Sequence, residues 1–279
     1  MKPGLSAMND YLAPDWQRIF EFNGLRSFDD FWKLEAKWFE EPNQRRGGWS
    51  GVARCELKLP DGGLTRVFLK RQENHMTRTL AHPFRGELTF LREFRCIKRY
   101  QQCGIPSLTP LYFAWRRVKG DNRAVLMTAE LEGFRSLEDL ARDWSPSPPR
   151  PDIRRAVIHA VARLLAQIHS HQLRHNCFYP KHVFVRLGKD GSVEARVIDL
   201  EKTKARPFGW DRDYRDLRTL NRHSYGWSLA DRVRFFCAYL GQTKLQAEGK
   251  EKWRRIARRH FQKHPHGAAV VNHHTVQGN

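Results

Sequence analysis

The sequence predicts an α+β chain of two lobes, a small antiparallel sheet lobe holding one helix and a larger helical lobe after it. Three observations lead there. Short apolar runs separated by glycine-containing turns occupy residues 47–129, interrupted once by a basic amphipathic stretch at 86–102. Beyond residue 134 helical periodicity dominates, apart from one pair of strand-like runs around Lys189-Asp190-Gly191. The 279 residues are enough chain to bury a real core without disulfides or a structural metal.

Each element has a local reason. Ser27 ahead of Phe28, Asp29 and Asp30 is a helix-capping residue type, and Phe28, Phe31, Trp32 and Phe39 fall on one side of the helix it would start. Residues 1–45 are therefore expected to be an N-terminal amphipathic helical extension, and 46–133 the small lobe. Arg45-Arg46-Gly47-Gly48 and the turn Pro60-Asp61-Gly62-Gly63 bracket a strand at 52–59, and Val67-Phe68-Leu69 leads a second strand into Lys70, which reads as a hairpin or meander. The helix expected from 85 or 86 to 102 places Leu88, Leu91 and Ile97 among basic residues and stops at Gly104-Ile105-Pro106. Strands at 111–118 and 124–129 flank a polar Lys119-Gly120-Asp121-Asn122 turn.

The helical lobe is expected over 134–263. The proline-rich segment at 145–151 ends one helix and precedes another at 153–171, apolar at Ile153, Val157, Val161, Leu164, Leu165 and Ile168. Further helices are expected at 213–221, 228–240 and 245–261, and 264–279, without periodicity, as a mobile tail.

The five cysteines are odd in number, scattered, and form no Cys-x-x-Cys pair, which argues against a disulfide framework or zinc knuckle and for a reducing compartment. The first residues lack a secretory-signal layout, and no stretch approaches the roughly 18 apolar residues of a spanning helix, so a cytoplasmic protein is expected. A formal charge of +20 makes the chain a polycation drawn to nucleic acid, anionic lipid or phosphorylated saccharide. The nucleic-acid reading finds no recognition-helix layout, ribonucleoprotein aromatic motif or zinc finger to go with the charge.

Phosphoryl transfer from ATP needs a cation on the phosphates, a carboxylate to hold that cation, and ligands for magnesium. Lys70 at the end of an apolar strand is the candidate cation, and Glu93, in the middle of the following helix, its candidate partner, with Glu87 as the competitor. His175-Asn176-Cys177-Phe178-Tyr179-Pro180-Lys181-His182 precedes Asp199 in Val197-Ile198-Asp199-Leu200, a loop and strand pair suited to presenting His182 and Asp199 to one metal ion. The spacing of His169, His171 and His175 does not put three imidazoles on one helix face, so capping at a helix end is expected of them and not zinc binding. The order of these residues matches a protein-kinase-like two-lobed fold using ATP and Mg2+.

These residues resemble the lipopolysaccharide core kinases of Gram-negative bacteria, the Kdo/heptose kinase family, and most closely its InaA-type branch, over about residues 47–241. The resemblance implies that Lys70 holds phosphates, Glu93 orients Lys70, His175 is the catalytic-loop histidine, and His182 and Asp199 hold magnesium. It implies that Asp216, in Asp213-Tyr214-Arg215-Asp216-Leu217, braces the catalytic loop, and that Tyr179 and Lys181 contact acceptor or phosphate. It also places Cys177, five residues before His182, where such loops carry their catalytic aspartate.

A thiol cannot supply that carboxylate base, which leaves His175 as the leading candidate for a proton acceptor. The implied activity is phosphorylation of a sugar hydroxyl of the lipopolysaccharide core or of another phosphorylated glycolipid. The alternative is a nucleotide-binding pseudokinase or scaffold in envelope or stress responses, and a third reading is a polyanion-binding module. A basic terminal helix, Lys250, Lys252, Arg254, Arg255, Arg258 and Arg259 around Trp253, Ile256, Ala257 and Phe261, suits either packing on the large lobe with a cationic outer face or lying on an anionic bilayer, and its narrow apolar stripe favours packing, with the cationic face free to touch inner-membrane headgroups. Arg71, Arg78, Arg85, Arg92, Arg95, Lys98 and Arg99 are expected to form a second basic region around Lys70 that attracts the acceptor.

Overall fold

Alternation of side chains along the first lobe's strands gives the sheet two apolar faces, and each face is covered by helix. A computed structural model describes residues 10–45, 47–78, 82–84, 86–205 and 211–263. Arg46, Arg85 and the tail expected at 264–279 lie outside them, as do the side chains of Asp213, Arg258, Arg259 and Phe261.

The first lobe contains β1 (Tyr11–Leu12), α1 (Gln17–Phe22), α2 (Phe28–Lys33), β2 (Trp38–Arg45), β3 (Gly48–Lys58), β4 (Leu64–Glu73), β5 (Met76–Thr77), β6 (Glu87–Leu88), α3 (Thr89–Gln102), β7 (Pro110–Val118) and β8 (Asp121–Ala129). Six of the strands form one antiparallel sheet in the order β1-β7-β8-β4-β3-β2. Its β7–β8 turn has positive φ at both Lys119 and Gly120, the hairpin geometry that matches strand twist. Gly48 is required where β3 begins, because a Cβ there would lie 2.0 Å from the Glu73 carbonyl oxygen.

Three sequence expectations shift. Ser27 does cap a helix, with a reciprocal Ser27–Asp30 capping box, but α2 stops at Lys33 and Phe39 stands exposed on β2, because the chain turns extended at Leu34 to pair with β3. Within the expected helical extension, β1 and β2 are the edge strands of the sheet. The helix expected from 85 or 86 begins at Thr89, since Glu87 and Leu88 pair with Thr77 and Met76. Buried Gln72 accepts the Phe90 N–H at 2.6 Å and so satisfies one of the free donors at the α3 N-terminus.

The second lobe continues as β9 (Arg135–Ser136), α4 (Leu137–Trp144), α5 (Pro151–Ser170), β10 (Leu173–Arg174), β11 (Val183–Leu187), β12 (Val193–Val197), β13 (Lys204–Ala205), α6 (Asp211–His223), α7 (Leu229–Tyr239) and α8 (Ala247–Lys263). Pro151 occupies the first turn of α5, where a missing N–H costs nothing, and Val157, Val161, Leu164, Leu165 and Ile168 are all buried. Ser228 and Asp231 form the capping box of α7. On α8, Ile256 and Ala257 are buried and Trp253 packs against Phe236.

One apolar core runs from α3 and the inner sheet face (Phe113, Leu126) through α5, β11 and β12 to α6 and α7, so it spans both lobes. A second core lies on the outer sheet face, where Phe20, Phe28 and Phe31 of α1 and α2 cover Leu69, Leu111, Val125 and Met127. Among the described residues no helix is long and apolar enough to cross a membrane.

Candidate active site

Alternation along β4 decides which basic residue faces the cleft. Val67, Leu69 and Arg71 turn to the outer face, while Lys70 and Gln72 turn to α3. Lys70 Nζ donates to Glu93 Oε1 at 2.5 Å, with side-chain exposures of 15% and 4%. Glu93 lies one turn into α3 among Phe90, Leu91, Phe94 and Ile97, so its carboxylate is fixed by packing as well as by the ion pair. Glu87, the competitor, is on β6 and pairs with Arg95 at 3.1 Å.

Three members of the basic region expected around Lys70 are engaged elsewhere in the structure. Arg71 donates to the carbonyls of Trp32 and Leu34 and lies over Trp38, holding the end of α2 to the outer face. Arg95 is engaged by Glu87, and Lys98 lies over Tyr11. These positions depend on strand alternation and helix phase, which a count of cations does not register.

The loop between α5 and β11 is organised from beneath by Asp216 of α6, fully buried, which accepts the backbone N–H groups of His175 and Asn176 at 2.8 Å each. His169, at the end of α5, approaches the same carboxylate at 3.3 Å and meets the Tyr239 hydroxyl at 2.8 Å. The histidine expected at a helix end is thus part of a buried polar network. Asn176 holds a left-handed backbone, φ 67°, and its amide donates to the Lys202 carbonyl at 2.7 Å.

His175 is buried completely, and both ring nitrogens are used by backbone: Nε2–H donates to the Ile198 carbonyl at 2.9 Å and Nδ1 accepts the Cys177 N–H at 3.2 Å. Burial lowers its pKa, against the raising effect of Asp216 and Asp199. With no free lone pair and no exposure, the ring shapes the loop and is not placed to accept a substrate proton, which corrects that sequence expectation. Cys177 is nearly buried too. Burial first, then the Asp199 carboxylate, push its thiol pKa up, so at neutral pH the group is a protonated thiol and no base.

His182 ends the 3-10 turn Pro180–His182, and its Nδ1–H donates to the Cys177 carbonyl at 2.8 Å. The same nitrogen lies 3.4 Å from Asp199 Oδ2. Asp199 comes after β12 instead of ending it; it adopts the left-handed region, φ 62°, and opens the 3-10 turn Leu200–Lys202. That turn packs against α3, with Tyr100 and Thr203 hydroxyls 3.4 Å apart, so α3 links the Glu93 and Asp199 sides of the cleft.

The donor chemistry fits a magnesium nucleotide. Asp199 offers partly exposed carboxylate oxygens, which magnesium prefers, and the Lys70–Glu93 pair offers an oriented ammonium. His182 fits less well, because the nitrogen nearest Asp199 already donates to Cys177; only its Nε2 lone pair remains. Among the described residues no group of three or more such side chains is arranged around a metal, so an ion at Asp199 would complete its shell from phosphate and water.

Sequence reasoning assigned no role to Lys202 or Asn176. Lys202 lies near the Cys177 thiol and 3.7 Å from Glu201, in the turn that Asp199 begins. Its signal was available, a lysine three residues after Asp199.

Comparison with known proteins agrees with this arrangement. A model of the lipopolysaccharide kinase (Kdo/WaaP) family matches residues 29–239. Protein InaA of Escherichia coli (strain K12) is 32% identical over 179 residues, 64% of this chain and 79% of that one. The lipopolysaccharide core heptose(I) kinase WaaP of Pseudomonas aeruginosa is 27% identical over 157 residues, which span only 58% of its own length. A solved structure of WaaP in complex with acyl carrier protein shares the fold, with a TM-score of 0.66 at 21% identity over 92% of this chain and 98% of that one. The two-lobed α+β fold expected from the sequence is therefore the kinase-like fold of WaaP. With a family match extending from α2 to the end of α7, the chain belongs to the lipopolysaccharide kinase (Kdo/WaaP) family.

Proposed function

We propose that the chain binds ATP and Mg2+ and phosphorylates a sugar hydroxyl of the lipopolysaccharide core or a related phosphorylated glycolipid. The observation that carries this is the buried Lys70–Glu93 pair at 2.5 Å, joined through α3 to the turn that Asp199 opens. In this reading Lys70 holds nucleotide phosphate, Glu93 orients Lys70, and Asp199, with the remaining lone pair of His182, holds magnesium. Bound magnesium neutralises charge on the transferred phosphoryl group. His175 and Asp216 keep the loop in shape, and Tyr179 and Lys181 face the acceptor. Residues 46–133 and 134–263 act as the two lobes, with the preceding residues completing the small lobe's sheet. Work at the cytoplasmic side of the inner membrane, with the outer face of α8 against anionic headgroups, suits the charge of +20.

Cys177 supports a second reading, a nucleotide-binding pseudokinase or scaffold in envelope or stress responses. A loose transition state depends more on positioning and charge than on a base, so the protonated thiol does not by itself decide between the two.

Thermal stability with and without ATP and magnesium tests the shared nucleotide site, using wild type, Lys70→Ala and Asp199→Asn. A stabilisation present in wild type and lost in both variants supports it; no shift at millimolar nucleotide removes kinase and pseudokinase together and leaves the polyanion module. Phosphate transfer to core oligosaccharide then separates the first two readings.

A further inference from the structure

We propose that Lys202 is a second phosphate-binding cation of this site, contacting the terminal phosphate of the nucleotide beside the Cys177 thiol. The proposal rests on the nucleotide reading above and adds a residue to it.

Charge creates the need. The ammonium of Lys70 is matched by Glu93 at 2.5 Å, so the pair together brings no net positive charge to a polyphosphate. Three of the basic side chains around it are already engaged, Arg71 on the α2 carbonyls, Arg95 on Glu87 and Lys98 over Tyr11. Lys202 lies at the metal-site turn itself. Its carbonyl is held by the Asn176 amide at 2.7 Å, which ties the Asp199 turn to the catalytic loop. Its ammonium lies near the Cys177 thiol, and Glu201 Oε1 lies 3.7 Å away.

Both of those partners are weak holds. A thiol sulfur is a poor acceptor, and 3.7 Å is a loose ion pair, while the Lys202 side chain remains 52% exposed. A phosphate oxygen is a stronger partner for an ammonium than either. Partial burial works against the charge but is outweighed by Cys177, Asp199 and Glu201, so Lys202 is a cation and not a base.

The identity of residue 177 then acquires a role. A carboxylate there would form an ion pair with Lys202 and draw it off the nucleotide, whereas sulfur is a weak acceptor that leaves the ammonium available. For a loose phosphoryl-transfer transition state, a cation on the phosphoryl oxygens provides the stabilisation that matters most.

The test is binding of ATP, ADP and AMP, each with magnesium, to the purified full chain by calorimetry, for wild type, Lys202→Met, Lys202→Gln and Lys202→Arg. The expected result is that Met and Gln weaken ATP by about tenfold or more while leaving ADP within about twofold, and that Arg keeps most of the preference for ATP. A turn that merely lost its shape would weaken ATP and ADP alike, and that result, or unchanged ATP binding in the Met and Gln variants, overturns the assignment. Failure of wild type to bind any of the three nucleotides overturns the nucleotide reading and this assignment with it. Melting temperatures without nucleotide identify a variant that has not folded, and with two neutral variants of a half-exposed side chain the comparison does not hang on one protein.

Discussion

The Asp216 carboxylate and the His175 backbone are joined at 2.8 Å across 41 residues, and the neighbouring N–H of Asn176 uses the other carboxylate oxygen at the same distance. Two buried donors in the loop between α5 and β11 thus depend on one side chain of α6. Asp216→Ala leaves both unsatisfied and is expected to cost about 2–4 kcal/mol in chemical denaturation, while Asp216→Asn, which keeps one acceptor oxygen, is expected to cost roughly half that. Equal stability of wild type and the Ala variant would show that the loop does not need this brace.

Lys70 and Glu93 should behave as one unit. Either Lys70→Met or Glu93→Leu alone strands the partner's charge in a buried place and is expected to cost about 3 kcal/mol, and the double variant to recover much of that loss. Nucleotide-dependent stabilisation is expected to disappear in all three. Additive losses in the double variant would mean that the contact carries no coupling.

Stability should fall on acidification because of His175. Its folded pKa lies below that of the unfolded chain, so below the unfolded value the unfolded state binds a proton that the folded state refuses. Between about pH 6.5 and the folded pKa the loss is expected to be about 1.4 kcal/mol per pH unit from this group. Denaturation midpoints from about pH 7.5 to about 5.5 should slope less in His175→Gln, and an unchanged slope would place the acid sensitivity elsewhere.

Cys177→Asp is expected to act on two constants in opposite directions. A carboxylate supplies a base to the acceptor hydroxyl, raising kcat by about tenfold or more if the chain is a slow kinase. The same carboxylate engages Lys202, raising the KM for ATP. A dedicated scaffold would show weaker ATP binding and no turnover with lipopolysaccharide core as acceptor.

Local rules carried the fold a long way. Ser27 and Ser228 are caps because hydroxyls suit helix starts, and Lys70 and Glu93 could be paired from their order along the chain, although β4 runs on past Lys70 to Glu73 and Glu93 lies one turn into α3 instead of at its middle. The six-residue helix α1 and the two-residue β1 carry too little periodicity to register. The start of α3 depended on a partner, since Glu87 and Leu88 are strand only because Met76 and Thr77 lie alongside.

The site was legible in residue type and less so in role. His175 looked available for proton transfer until both nitrogens were found on backbone groups, and Arg71 looked like part of an acceptor-attracting basic region until alternation turned it away from Lys70. Lys202 owes its place to a left-handed residue three positions earlier, which the sequence does not announce because that residue is not glycine.

The left-handed backbone of Asp199 sets durability against chemistry. Glycine at that position would remove backbone strain of about 1 kcal/mol or more, while deleting the carboxylate proposed to hold magnesium. Variants chosen for heat resistance alone would therefore drift toward a sturdier, inactive protein, and for this chain a high melting temperature is a poor surrogate for a working enzyme.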